Sequence, residues 1–361
     1  MAKRKQRRDE FQDISSYSSK QAYKKNQKKK KRTGLKVFLS FICVILVLVG
    51  GVMIYASTVL LGDLKTTTIT KDKTELGISE ETKSEAGITN IALFGVDARD
   101  YDGGTFAGRS AAIMVMSIDN VHHKVKLTSI MRDVRVYMGD GSPYDSGYDK
   151  LNHAYMYGGP EQAIRTINQN FGLDIQDYVT VNFSAMAKIV DAFGGVNIDL
   201  TEDEVSEINK NMHALAAESP ESMAGDVSTY APLSAGEGVL LNGDEAVAYG
   251  RIRAIDNDNG RVERQQEVLS ALLSKASSIS KLEYPSIIQQ LAPLCETSLT
   301  FDKMIGLAQI ALTGFDIERL SIPSDVEGYA SDYCEGGGWM WTYDTDVAAQ
   351  HIHEFIYEDE N

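Results

Sequence analysis

The stretch GRSAAIMVMSID, residues 108–119, indicates the kind of fold that this chain adopts. Its apolar run AAIMVMSID has the composition of a buried strand, and it lies between ITNIALFGVD at 88–97 and KVKLTSI at 124–130. Both neighbouring runs are short, apolar or alternating, and bounded by turn residues, which is typical of strands. Three such patterns in succession predict a sheet at the centre of the fold.

Helical and strand patterns alternate along the rest of the chain. Helices are predicted for residues 158–172, 184–195, 243–248, 261–278, 298–314 and 346–357, and strands for 178–183, 196–200 and 317–323. Alternation of this kind predicts an α/β fold, a layered α-β-α domain with a central mixed sheet. The polar, poorly periodic run 202–233 is predicted to be an insertion or a mobile lid.

An apolar segment divides the chain into two parts of opposite charge. Residues 37–61 carry no charge, and a helix crosses a bilayer with about 20 apolar residues, so we predict one transmembrane helix rather than a signal peptide. Residues 1–36 hold 14 Lys and Arg against 3 Asp and Glu, whereas the remainder holds 22 against 48. Because positive residues stay in the cytoplasm, the N-terminus is predicted inside and the rest outside.

This topology accounts for the basic tail without nucleic-acid binding. The predicted organisation is a cytoplasmic tail at 1–36, a membrane helix at 37–61, a polar stalk at 62–86 and an extracellular domain at 87–361. The expected location is therefore the cell membrane, with a single pass. Outside the cell a disulfide between Cys295 and Cys334 is allowed by the oxidising environment, although sequence does not place the two residues within bonding distance.

Polar residues gather where the predicted strands begin or end. Asp97 follows the first strand, at the edge where open α/β sheets bind ligands. Arginines occur beside the other elements, and the guanidinium fork suits phosphate. The set consists of Arg109, Arg132, Arg135, Arg251, Arg253, Arg261 and Arg264, with Gln265 next to the last.

So many arginines in an acidic domain favour an anionic ligand. Each one alone is explained by a local carboxylate, but their recurrence at successive element ends predicts a phosphate or pyrophosphate site. Asp97 repels such an anion unless a divalent cation lies between them, and Mg²⁺ typically uses one or two carboxylates together with substrate oxygens. Mg²⁺, or Mn²⁺, is the expected cofactor.

Several motifs in order resemble the LytR-CpsA-Psr family. They are NIALFGVDARD, GRSAAIMVMSID, SIMRDVRV, LNHAYMYGGPEQAI, YVTVNFSAMAKIVDAFGGVNIDL and LNGDEAVAYGRIRAIDNDNGRVERQQEVL. The resemblance covers a motif core at 90–273, and the C-terminal extension at 280–361 is similar to the tail of longer members. Members are phosphotransferases that move a teichoic acid or capsular polysaccharide from undecaprenyl pyrophosphate to peptidoglycan.

The resemblance also implies roles for individual residues. Asp97 would be a metal ligand and a possible base, and Asp97, Arg109, Arg132, Arg251 and Arg253 would form the catalytic set. The pyrophosphate would be bound by Arg109, Arg132, Arg135, Arg251, Arg253, Arg261 and Gln265. An apolar slot for the lipid is expected from Tyr155, Val179, Val181, Phe183, Ile189, Val190 and Phe193, which flank the sheet.

One position departs from the family pattern. Members usually read Arg-Ser-Asp where this chain has Arg109, Ser110 and Ala111. Alanine supplies no metal ligand, so the chain is an engineered variant, a natural member with impaired catalysis that still binds the lipid, or an enzyme in which Asp133, Asp256 or Asp258 substitutes. A third functional class, an envelope-associated regulator, has only the basic tail in its favour.

Overall fold

A mixed β-sheet with helices on both faces forms the centre of the protein. The structure is a computed structural model, and it describes residues 65–82, 84–96, 108–218, 232–278, 294–300, 303–304, 315–334 and 338–358. Within these ranges the strands are β1 (Lys65–Thr66), β2 (Ile88–Val96), β3 (Ser110–Asp119), β4 (Lys124–Ile130), β5 (Arg135–Tyr137), β6 (Tyr148–Lys150), β7 (Asp177–Asn182), β8 (Val196–Leu200), β9 (Gly236–Leu241), β10 (Glu296–Thr297), β11 (Asp316–Ile322), β12 (Ala330–Cys334) and β13 (Gly338–Thr342).

The described strands of the main sheet follow the order β1-β10-β7-β2-β3-β4-β11. β2, β3 and β4 form an antiparallel meander, while β7 pairs parallel with β2 and β11 pairs parallel with β4. The mixed sheet expected from the sequence is confirmed. In the described residues three two-stranded sheets lie outside this sheet: the hairpins β5–β6 and β12–β13, and the pair β8–β9, whose strands are separated by residues 201–235.

Helices cover the two faces of the sheet with different sets of side chains. They are α1 (Leu151–Phe171), α2 (Phe183–Ala192), α3 (Glu202–Glu218), α4 (Gly243–Tyr249), α5 (Asn257–Ser278) and α6 (Thr345–Tyr357). Helices α1 and α6 pack against alternate strand residues that include Phe94 and Ile113, and this side is called the α1–α6 face. Helices α2, α4 and α5 cover the opposite side, called the α2–α5 face, where Ile91, Leu93 and Val179 point.

Local signals fix the ends of the helices. The side chain of Asn182 accepts a hydrogen bond from the backbone N–H of Ala185 and caps α2, and Asn242 forms a capping box at α4. Helix α1 ends at Gly172, whose φ of 64° is left-handed. Gly159, with φ of 65°, breaks α1 in the middle, and Pro160 begins its second half.

Three regions differ from the sequence expectation. Helix α1 begins at Leu151 rather than 158, because the run before the glycines also buries Leu151, Ala154 and Tyr155. Residues 202–218 of the expected lid form helix α3, which is held by an apolar stripe at helical spacing: Val205, Ile208, Met212 and Leu215.

The third difference concerns the expected stalk. Residues 65–82 do not stand apart from the domain: β1 joins the sheet beside β10, and Ile69, Leu76 and Ile78 are buried in the core of the α1–α6 face. The sequence did not indicate these core residues because polar residues separate them. Lys71 also pairs with the buried Asp177 at 2.8 Å.

The basic tail at 1–36 and the apolar segment at 37–61 lie outside the described residues. Within the part of the chain that the structure describes, no helix combines the length and hydropathy that a membrane crossing requires.

Candidate active site

Strand register brings four chain segments to one edge of the sheet. Val96 at the end of β2 lies opposite both Asn182 at the end of β7 and Ser110 at the start of β3. Gly95 pairs with Ala112, so Ala111 is the extra residue of a β-bulge. Since Met114 pairs with Ser129, the chain that follows Ile130 runs beside the start of β3. Register alone therefore places Arg109 and Arg132 at the same edge.

Arg132 belongs to a charged cluster at this edge. Its Nε lies 3.0 Å from Oδ2 of Asp133, and Nζ of Lys150 lies 3.2 Å from Oδ1 of the same carboxylate. Burial raises the pKa of Asp133, but the two cations outweigh burial and hold this pKa below its usual range. Asp133 thus remains ionised and fixes both cations at the end of β4.

A second buried carboxylate lies next to this cluster. Asp149 is fully buried and accepts hydrogen bonds from the Tyr157 hydroxyl at 2.6 Å and the Lys150 backbone N–H at 2.7 Å; its Oδ2 lies 2.9 Å from Nδ1 of His153. Burial raises the pKa of Asp149, but these hydrogen bonds outweigh it and the net pKa is lowered. Burial and Asp149 raise the pKa of Tyr157, whereas the nearby Arg109 lowers it. The exposed Arg109 guanidinium therefore lies near this cluster.

An apolar cavity of about 230 Å³ opens on the α2–α5 face next to the same strand ends. It is larger than the roughly 150 Å³ that holds a benzene molecule in an engineered core. Apart from Asn182 and Gln265, its wall is apolar or a thiol: Leu93, Phe94, Gly95, Ala112, Met114, Val179, Val181, Phe183, Met186, Ile189, Ala246, Val247, Gly250, Val268, Leu269, Leu272 and Cys295.

Polar groups flank this cavity at Phe183 and Gly250. The Arg251 guanidinium lies over the Phe183 ring, 5.1 Å from its centre, and the Gln265 side chain donates a hydrogen bond to the Gly250 carbonyl at 3.2 Å. Arginine and amide groups thus border an apolar cavity that meets the edge holding Arg109 and Arg132. An amphiphile with an anionic head group matches this arrangement.

The structure separates the seven residues expected to line a lipid slot. Val179, Val181, Phe183 and Ile189 lie in the cavity wall. Tyr155 does not: it lies on the α1–α6 face, with its ring 5.1 Å from that of Phe94, because α1 covers that side.

The other two residues also point elsewhere. Val190 is fully buried among the side chains of the α2–α5 face. Consecutive side chains of a helix point in different directions, so Val190 points away from the cavity that Ile189 lines. Phe193 follows the end of α2 and packs against the same cluster outside the cavity wall.

The remaining predicted phosphate ligands have varied surroundings. Arg135 stacks on the Tyr148 ring at 3.6 Å in the β5–β6 hairpin, and Arg253 is exposed after α4. Arg261 is buried in the second turn of α5. Arg264 is a structural residue, because it pairs with Glu204 at 2.9 Å and Asp256 at 2.5 Å.

The carboxylates considered as replacements at position 111 are engaged elsewhere or lie outside the described residues. Asp97 lies outside them, and Ala111 has no donor atom. Asp133 is committed to Arg132 and Lys150, and Asp256 to Arg264. The side chain of Asp258 is also outside the described part, and elsewhere in that part no three His, Cys, Asp or Glu residues cluster as metal ligands do.

Sequence reasoning missed several residues of this region. Gly95 and Ala112 open the cavity, and a glycine inside a strand is the signal that something approaches closely. Lys150, Asp149 and His153 lie in the LNHAY motif region but were not singled out. Cys295 carries a free thiol in the cavity wall rather than a disulfide, and burial raises its pKa to about 11.

Comparison with known proteins identifies relatives of similar length. The chain is 27% identical over 313 residues to the polyisoprenyl-teichoic acid–peptidoglycan teichoic acid transferase TagT of Bacillus subtilis, covering 83% of this chain and 91% of the relative. It is 30% identical over 316 residues to TagU of Bacillus mycoides, a transferase of the same description, covering 85% of this chain and 91% of the relative.

Solved structures show the same fold. The structure described as TagT with bound octaprenyl pyrophosphate lipid superposes with a TM-score of 0.56 at 21% identity, covering 80% of this chain and 99% of that one. The sequence model of the LytR_cpsA_psr family matches residues 52–355. The chain therefore belongs to the LytR-CpsA-Psr family.

Proposed function

We propose that this chain is a phosphotransferase that moves a glycopolymer of the teichoic acid or capsular polysaccharide class from undecaprenyl pyrophosphate to peptidoglycan. The observation that carries the proposal is the apolar cavity of about 230 Å³ that opens beside Arg251 and the edge holding Arg109 and Arg132. A prenyl chain suits the cavity, and a pyrophosphate suits the arginines. Homology to named teichoic acid transferases supports the reaction class.

The proposed reaction replaces a phosphoanhydride bond by a phosphate ester bond. A hydroxyl oxygen of the acceptor glycan bonds to the phosphorus next to the polymer, and the bond from that phosphorus to the bridging oxygen breaks. Undecaprenyl phosphate leaves with the bridging oxygen and its electron pair. The hydroxyl proton passes to a base, for which Asp97 is the candidate that the family resemblance offers.

The arginines act by electrostatics rather than by covalent chemistry. Phosphoryl transfer depends mostly on positioning and on stabilisation of charge that spreads over the phosphoryl oxygens. Arg132 is held rigidly by Asp133, and Arg251 by its position over Phe183. Arg109 adds an exposed guanidinium near Tyr157. Proposed pyrophosphate contacts from Arg135, Arg253, Arg261 and Gln265 complete the set.

The test supplies undecaprenyl-pyrophosphate-linked polymer and peptidoglycan fragments to the detergent-purified full chain. We expect polymer-linked peptidoglycan and undecaprenyl phosphate to form together, and native mass spectrometry to find polyprenyl phosphate on the purified protein. A chain that neither retains the lipid nor forms product contradicts the proposal.

A specific observation favours a second function. Ala111 lies at the bulge beside Arg109, where family members usually carry a carboxylate. An impaired member that binds polyprenyl pyrophosphate without turnover would retain the lipid and yield product only after Ala111→Asp. Transfer by the unaltered chain excludes this alternative.

Mg²⁺ or Mn²⁺ dependence is part of the proposal and rests on Asp97 together with substrate oxygens. Ala111→Asp should tighten Mg²⁺ binding about tenfold in calorimetry, because it adds a carboxylate. Ala111→Asn is the matched control, since it adds nearly the same volume without the charge. Equal affinity in all three forms argues against a metal at this edge.

We further propose that residues 37–61 anchor the chain in the cell membrane as one helix, with residues 1–36 inside and the family domain outside. The apolar length and the basic flank support this topology. Protease added to intact cells should digest the domain and leave the tail. Protection of the domain contradicts the topology.

A further inference from the structure

One face of the β12–β13 hairpin carries a row of aromatic side chains. Tyr333 pairs with Trp339 and Ser331 pairs with Trp341, so all four side chains point to the same side. The Trp339 and Trp341 rings lie 5.1 Å apart edge to face, and Tyr329 extends the row at 5.2 Å from Trp341. We call this set of Tyr329, Tyr333, Trp339 and Trp341 the aromatic row.

The exposure of the row is uneven and informative. Tyr333 is 80% exposed, whereas Met340 between the two tryptophans points to the other side and is fully buried. The hairpin is therefore anchored by Met340 and by the half-buried Trp341, and it exposes the Tyr333 ring beside a half-buried Trp339. An exposed tyrosine beside half-buried tryptophan rings and polar groups offers a surface on which a ligand can stack.

The row is continuous with the charged cluster of the candidate active site. Nζ of Lys150 lies 5.5 Å from the centre of the Trp339 ring and 3.2 Å from Oδ1 of Asp133. The Trp341 backbone N–H donates to the Asp133 carbonyl at 3.0 Å. A ligand on the aromatic row thus reaches Lys150 and Arg132 without crossing other elements.

The hairpin and the apolar cavity belong to opposite faces of the sheet. Trp341 packs against the core of the α1–α6 face, and the cavity opens on the α2–α5 face. In phosphoryl transfer the attacking and leaving oxygens lie roughly in line across the phosphorus. If polyprenyl phosphate leaves towards the cavity, the acceptor hydroxyl arrives from the side of the hairpin.

We propose that the aromatic row binds the acceptor glycan strand of peptidoglycan. This inference rests on the proposed function. Pyranose rings present a face of C–H groups that stacks on aromatic rings, while their hydroxyls reach polar neighbours such as Ser331 and Lys150. The row holds the sugar rings so that an acceptor hydroxyl points towards Arg132. The lipid-linked polymer also contains sugar rings, so the test includes it as a competitor of the glycan strand.

The chain provides its own reporter for this test. Its only two tryptophans, Trp339 and Trp341, both lie in the row, so tryptophan emission reports on this surface alone. Peptide-free glycan strands of alternating N-acetylglucosamine and N-acetylmuramic acid are titrated into the detergent-purified full chain. We expect a saturable change in emission, and the lipid-linked polymer alone should not compete for it.

Three variants separate recognition from folding. Tyr333→Ala should weaken glycan binding about tenfold without changing Tm, since the ring is exposed. Val326→Ala, which removes an exposed apolar side chain outside the row, is the control and should bind as the unaltered chain does. Trp339→Phe keeps an aromatic ring and should retain most of the affinity.

Three results would overturn the inference: no emission change with glycan strands, equal binding by Tyr333→Ala, or displacement by the lipid-linked polymer or by anionic lipid vesicles. Retention of polyprenyl phosphate, measured separately, distinguishes the failure modes. If the lipid is retained and the glycan is not bound, the role assigned to the aromatic row is wrong and the proposed function stands. If the glycan is bound but neither lipid nor transfer is found, the proposed function is wrong.

Discussion

The two faces of the central sheet are made by alternate residues of the same strands, but only one of them is filled. On the α1–α6 face Phe94, Ile113 and Tyr178 pack against α1 and α6 and are almost completely buried. On the α2–α5 face the neighbouring positions are Gly95 and Ala112, and the cavity lies over them.

The difference comes from side-chain volume rather than from the backbone. Gly95 and Ala112 are cross-strand partners, and a Cβ added at Gly95 would lie 3.1 Å from the Cβ of Ala112. A sheet can therefore hold one face rigid with large residues and leave room on the other with small ones. Binding is located where packing is incomplete, and stability is supplied from the opposite face.

A matched pair of phenylalanines tests this division. Phe171 is fully buried on the α1–α6 face, and Phe183 borders the cavity on the other. Phe171→Ala should cost about 3–5 kcal/mol of unfolding free energy, since it leaves a void in a packed core. Phe183→Ala should cost about 1–2 kcal/mol because part of its surface already faces the cavity. Denaturant titration of the purified chain measures both, and equal losses would refute the comparison.

Arg132 lies at the edge where the two faces meet. Arg132→Ala should lower the transfer rate about 10²–10³-fold, the usual effect of removing one transition-state donor. Arg132→Lys should recover part of the rate, because lysine keeps the charge and loses the planar fork. Arg319→Ala is the control, since Arg319 is half-exposed and lies 3.9 Å from Glu267. A rate that is unchanged by Arg132→Ala removes this residue from the proposed mechanism.

Filling the cavity should separate binding from stability. Val181→Trp adds volume to the cavity wall and should reduce retained polyprenyl phosphate about tenfold, or roughly 1.4 kcal/mol, with little change in Tm. The control is Tyr155→Phe on the opposite face, which removes only the hydroxyl that lies 3.2 Å from Thr180 Oγ1. Native mass spectrometry compares the lipid fractions. If Tyr155→Phe loses the lipid and Val181→Trp does not, Tyr155 contacts the lipid and the cavity does not hold it.

The strands of the sheet were predictable because their signal is local. Apolar runs such as 110–119 and 124–130 identify strands by composition and bounding turns. The strand order is not local: β7 lies beside β2, and β10 beside β7, through contacts distant in sequence. The layered class could thus be inferred, whereas the pairing that brings Val96, Asn182 and Ser110 together could not.

The site was only partly predictable for the same reason. Arginines and a strand-end aspartate are visible in the sequence, but the face to which an apolar residue points depends on helix placement. Tyr155 and Ile189 have the same apolar character, yet they lie on opposite faces of the sheet. The β12–β13 hairpin was missed although its alternating WMW run beside glycines is a hairpin signal.

A buried carboxylate beside α6 gives the α1–α6 face a pH dependence. Glu327 precedes α6; its carboxylate accepts a hydrogen bond from the Ser324 hydroxyl at 2.6 Å and lies 2.6 Å from Nδ1 of His351. Burial raises the pKa of Glu327, but these hydrogen bonds outweigh burial and the net pKa is lowered. Its ionised form is therefore favoured by folding.

Because folding lowers the pKa of Glu327, protonation of this carboxylate at acid pH destabilises the folded state. The stabilisation by Glu327 is complete above the ordinary glutamate pKa of 4.5 and is lost as the pH falls through the lower pKa of the folded state. We expect a loss of about 2 kcal/mol, the size of one hydrogen bond to a charged group. Glu327→Gln should lower stability at pH 7 and flatten this acid limb in denaturant titrations. An unchanged acid limb would show that the carboxylate does not couple folding to protonation.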